Sequence, residues 1–120
     1  MSKWAAAPEP EPSRAVRIGP IFRTVEPGET RVFGTMTAIE CNEAGITIVV
    51  QTTTRQLRVR AQRFESIEFI SYRDQEGKVG CGPRPASEMV YLTWKGNDTG
   101  GAEILSASIV VELTRVGYRP

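Results

Sequence analysis

The chain has 120 residues, with 15 basic and 14 acidic side chains, a net charge of +1 and no histidine. The near-neutral balance excludes a global field that gathers polyanions. The lack of histidine removes the usual general base, the commonest metal ligand and every Ser-His or Cys-His nucleophile pair. One domain fits this length, and no apolar run approaches the ~20 residues that a membrane helix needs. Arg outnumbers Lys twelve to three, a bias that suits planar recognition of phosphate or carboxylate and that a GC-rich genome also produces.

The chain opens on Met1-Ser-Lys-Trp4 and three alanines, then alternates proline with charge from Pro8 to Pro12. That pattern favours extended polyproline II and resists burial, as in an interdomain spacer. Residues 1–28 therefore read as a proline-rich tail or linker, and residues 29–120 as the folded domain. The first residues lack the apolar stretch of about 7–15 residues that a signal peptide contains, which favours the cytoplasm. Trp4 reads either as a docking contact or as a remnant of cloning.

From Thr30 the pattern becomes that of strands. Val32, Gly34 and Met36 alternate with Phe33, Thr35 and Thr37; the phase then slips so that Ile39 and Cys41 carry the apolar face, as a β-bulge allows. A turn at Asn42–Gly45 leads to Ile46, Ile48 and Val50 on one face. Leu57, Val59 and Ala61 follow in strict alternation with Gln56, Arg58, Arg60 and Gln62, which predicts a hairpin through Thr52 to Arg55. Ser66–Tyr72 is a further strand, ended by the polar loop Arg73–Lys78. Val79–Gly82 reads as a short strand, and Glu88–Lys95 as one with Val90, Leu92 and Trp94 on one face. The glycine-rich turn Gly96–Gly101 precedes a last strand with Ile109, Val111 and Leu113 inward.

Arg55–Ile67 and Glu103–Leu113 also show helical spacings, but the alternation of Leu57, Val59 and Ala61 and the β-branched run Ile109–Val111 favour strand. About six strands, each too weak to bury both faces, predict an all-β domain: a small SH3-like or OB-like barrel or meander with an extended N-terminal tail.

Gly34–Cys41, Leu57–Phe64, Cys81–Pro83 and Val90–Trp94 together resemble an uncharacterised bacterial β domain appended to larger proteins, some with tetratricopeptide repeats. The resemblance covers about ninety residues. It transfers no catalytic residue and implies an accessory module.

Four arginines, Arg55, Arg58, Arg60 and Arg63, fall in nine residues without an acid. On a strand, Arg58 and Arg60 project opposite Leu57, Val59 and Ala61. Barrels that bind single-stranded nucleic acid join such a cationic face to stacking aromatics, and Phe64, Phe69 and Tyr72 lie near in sequence. Core positions for those rings and a solvated edge that deters aggregation form the competing reading.

Cys41 and Cys81 lack the spacing and the histidine of a zinc site, so no metal is expected. Cys81, between Gly80 and Gly82, reads either as a reactive thiol or as a structural cysteine. A Cys41–Cys81 disulfide would constrain the unfolded chain by roughly 4 kcal/mol. Glu65 with Glu68 is the densest carboxylate pair for acid-base work, against which stands a charged surface edge. The glycines form no phosphate-binding motif.

The expectation is a non-enzymatic binding or assembly module without a cofactor, contacting another protein or a neighbouring domain through a barrel edge or loops. The alternative is a single-stranded nucleic-acid-binding barrel using Arg55, Arg58, Arg60, Arg63 and Tyr72. A small thiol enzyme acting through Cys81 ranks third.

Overall fold

Pro27-Gly28 supplies what a type II turn requires, a fixed φ followed by a positive one. In the computed structural model, which describes residues 13–18, 23–71, 77–84, 88–96 and 103–114, Gly28 has φ +85°. The Glu29 N–H donates to the Glu26 carbonyl at 3.0 Å. This turn launches β2 (Glu29–Asn42), which follows β1 (Ser13–Ile18). Next come β3 (Gly45–Gln51), β4 (Gln56–Ala61) and β5 (Ile67–Ser71), then β6 (Gly77–Gly80) and β7 (Gly82–Pro83). The chain finishes with β8 (Met89–Lys95), β9 (Ile104–Leu105) and β10 (Ile109–Leu113). A 3-10 turn at Phe64–Ser66 interrupts the strand pattern. The protein is all-β, as its alternation predicts. Trp4, Tyr72, Arg73–Glu76 and Gly100-Gly101 lie outside the described residues.

The strands form one mixed sheet in the order β6-β1-β5-β10-β8-β2-β3-β4-β9, with β7 paired to β2 beside that path. The long strand β2 is its spine. Glu29–Thr35 pairs antiparallel with β8. Beyond that, β2 has β3 on one side and β7 on the other, at Ala38 and Ile39. The phase slip in the sequence is a β-bulge, with the register to β3 shifting between Met36 and Ala38. It lets Met36 and Ile39 both face the core, at 0% and 1% exposure, and a bulge also bends and twists its strand.

Val16 and Val79 near one end of the path share a single core with Val59 and Ile104 at the other, so the sheet rolls on itself. Its path still has two ends, β6 and β9, and it is not a closed barrel. The expectation of an SH3-like or OB-like barrel of about six strands is thus corrected to an open, rolled sheet of ten. The additional strands are short, two residues each in β7 and β9, and no periodicity can show in two residues.

The boundary of the tail also changes. Ser13–Ile18 lies between β5 and β6, parallel to the first and antiparallel to the second. Among the described side chains of this strand only Val16 joins the core, and a single inward side chain leaves no readable alternation.

Candidate contact site at the β4–β9 edge

The Thr52–Arg55 turn fixes the start of β4 through one side chain. Thr52 Oγ1 donates to the Arg55 carbonyl at 2.9 Å and accepts the Arg55 N–H at 3.2 Å, and the Thr52 N–H also donates to the Arg55 carbonyl. The register that follows pairs Val50 with Leu57 and Ile48 with Val59, turning Leu57, Val59 and Ala61 into the core and Arg58 and Arg60 outward. Strand period alone dictates that arrangement.

The outward arginines already face acids. Arg58 forms an ion pair with Glu40 on β2, and Arg60 Nη1 lies 3.3 Å from Glu103 Oε1. The hydrogen bond from Arg58, with its positive charge, holds the Glu40 carboxyl below the usual range. The same contact raises Arg58. Both arginines are half-buried, and their cross-strand neighbours Val49 and Thr47 are 3% and 2% exposed, so the aliphatic stems have apolar surface to cover. Half-exposed pairs of this kind contribute about 0.2–1 kcal/mol each.

Arg63 differs. It is exposed just ahead of the 3-10 turn, and its side chain makes no ion pair among the described residues. Together with Arg60, Gln62, Ser66, Leu105 and Ser106 it lines a cleft of about 360 Å³. Leu105 on β9 pairs in register with Arg60 and is 64% exposed, while Ile104 beside it is buried. This edge is firmly held. The Ser106 N–H donates to the Arg60 carbonyl at 3.0 Å, and Ser106 Oγ, which accepts the Lys95 and Ser108 N–H groups at 3.2 Å each, has the carbonyls of Lys95 and Ser108 at 3.0 and 2.8 Å as acceptors for its one proton.

Of the expected arginine face, the structure thus brings Arg60 and Arg63 into one cleft. It pairs Arg58 with Glu40 and leaves Arg55 at the hairpin turn. Phe64 and Phe69 are core residues. Glu65 is exposed on the 3-10 turn and Glu68 half-buried on β5, so the carboxylate pair is split between two elements. No group of three or more Cys, Asp or Glu placed to hold a metal occurs among the described residues. Cys41 and Cys81 form a disulfide, Cα–Cα 5.8 Å, that ties the end of β2 to the junction of β6 and β7.

Two features escape the sequence. Leu105 falls inside the segment assigned to one last strand, but Ser106–Ser108 breaks it into β9 and β10. Two adjacent apolar residues show no alternation, so no signal marks β9. The second is a polar cluster on the outer face. Glu112 is fully buried and accepts Arg31 Nη2 at 2.7 Å and the Arg23 N–H at 3.1 Å. Arg31 also donates to Thr93 Oγ1 and lies 5.2 Å above the Tyr91 ring. Tyr91 in turn contacts Phe33, centroids 4.8 Å apart. These partners are separated by up to 89 residues, beyond any local pattern. Comparison with family models, curated proteins and solved structures finds no match to this chain.

Proposed function

We propose that this domain is a non-catalytic binding or assembly module that contacts another protein, or a neighbouring domain, through its open β4–β9 edge. The observation that carries this reading is Leu105, a large apolar side chain 64% exposed at the end of the sheet path, in one cleft with Arg63, which makes no ion pair among the described residues. An apolar anchor with arginine next to it is the composition that protein contacts favour. A proline-rich N-terminal tether, of the kind implied by the resemblance to appended bacterial domains, is part of this proposal. The Cys41–Cys81 bridge favours an oxidising compartment over the cytoplasm.

Single-stranded nucleic-acid binding has less support. It needs free cations along the backbone path and rings for stacking, whereas Arg58 and Arg60 face Glu40 and Glu103 and Phe64 and Phe69 are buried. Thiol chemistry at Cys81 needs a thiolate, and Cys81 is oxidised.

Fluorescence anisotropy with labelled oligouridine and oligothymidine discriminates the first two readings. The expected result is no saturable binding even at low salt. Binding that weakens steeply with salt and disappears in Arg58→Gln/Arg60→Gln would overturn the protein-contact reading.

A further inference from the structure

We infer that the β4–β9 edge receives an extended acidic segment of a partner polypeptide, laid beside β9 with a carboxylate on Arg63 and an apolar side chain on Leu105. This inference rests on the reading of the edge as a protein contact and names the chemistry of the partner.

The main chain at the edge sets the mode. In a strand, successive N–H and C=O groups point alternately to either side. The Ser106 N–H points to β4, where it meets the Arg60 carbonyl. Leu105, one residue earlier, therefore presents its own N–H and C=O to the free side. An added strand satisfies both groups, and its side chains supply the selectivity.

Those side chains would meet two cations and no carboxylate, since the cleft is lined by Arg60 and Arg63 with Gln62, Ser66, Leu105 and Ser106. The acid paired to this lining, Glu103, lies against Arg60. Arg63 remains for a carboxylate from outside, and its planar fork matches that group. A basic segment would bring like charges together at the same place. A nucleic-acid strand would find no aromatic side chain in the lining on which to stack. A second copy offering the same edge would set Arg63 against Arg63.

The test is amide NMR titration of the whole chain with a short capped peptide of alternating Glu and Val, and with its Lys-Val counterpart. The acidic peptide is expected to shift the amides of Arg63, Leu105 and Ser106. Its affinity should fall from low to physiological salt and should drop by up to roughly fivefold in Arg63→Gln. Leu105→Ser should weaken it as well, and both variants change exposed residues, so an unchanged spectrum elsewhere shows that the fold is kept. The inference is overturned if the acidic peptide leaves those amides unmoved, or moves them no more than the Lys-Val peptide does. Stronger binding of the Lys-Val peptide would overturn the acidic class while leaving a protein contact at this edge in place. Cross-linking from position 105 in cells tests that broader reading separately.

Discussion

Glu112 is fully buried on the outer side of β10, where its carboxylate accepts Arg31 Nη2 and the Arg23 N–H. Removing one member of such a pair leaves the other uncompensated. Glu112→Ala is expected to cost about 3–5 kcal/mol, and denaturant unfolding is the measurement. A loss below about 1 kcal/mol, the size of an exposed pair, would show that the cluster does not hold β2 to β10 as described.

Glu29 contributes to the acid limit. Its carboxylate accepts the Glu26 N–H and the Arg23 guanidinium, and these hydrogen bonds, in that order, hold its pKa below the ordinary 4.5. A folded-state pKa below the unfolded one means stabilisation that is present above about pH 4.5 and lost as the pH falls through the folded value. Melting temperature should therefore fall on acidification below that point, and the fall should be shallower in Glu29→Gln. Identical acid limbs in the two proteins would remove Glu29 from this role.

Gly34 offers a steric test on the same strand. A Cβ there would stand 2.5 Å from the Gln51 carbonyl oxygen and 2.8 Å from Val50 Cγ1. The obstacle includes backbone, which cannot swing aside. Gly34→Ala should destabilise by roughly 1–3 kcal/mol, the usual cost of overpacking, and thermal melting would expose a neutral substitution at once.

At the scale of elements, the sheet is held differently at its middle and its ends. β3 is buried along six of its seven residues and pairs along its length with β2 and β4. By contrast, β7 contributes two residues and β6 four, and the Cys41–Cys81 bridge adds to the short β7 pairing in anchoring their junction to β2. Cys41→Ala/Cys81→Ala should lose up to ~4 kcal/mol through the freed unfolded chain. Amide exchange should rise first in β6 and β7 while β3 and β4 stay protected. Unchanged stability and exchange would mean that the bridge is not formed in the protein.

The elements legible in the sequence were those whose apolar residues repeat at period two over five or more positions. β4 and β8 belong here, as does β2, where even the bulge at Thr37 was visible as a phase slip. The Thr52–Arg55 hairpin follows from the same alternation. Where one side chain alone enters the core, as Val16 does from β1, the pattern vanishes, and a proline-rich leader then draws the boundary too far along the chain. Pro27-Gly28 was a turn signal inside the supposed tail. Parallel pairings of β1, β5 and β10 depend on contacts across 53 residues (Val16 with Phe69) and 42 residues (Ile67 with Ile109) and leave no local mark.

At the scale of the whole molecule, the described residues form a rolled sheet that leaves one end, β9, beside a cleft with an exposed leucine and an arginine that makes no ion pair among them. Half of the candidate site was legible: strand period placed Arg58 and Arg60 outward, but their acids, Glu40 and Glu103, come from other strands and could not be foreseen. The result is that the expected cationic face is largely neutralised, and the proposed contact shifts to Arg63 and Leu105. Replacing Leu105 with a photo-reactive amino acid in the cells that make the protein, with Glu43 in the exposed turn after β2 as the control position, tests this most directly. Illumination should yield a discrete protein adduct from position 105 that is absent from position 43 and lost with Arg63→Glu. An RNA adduct, or no adduct specific to position 105, would contradict the account.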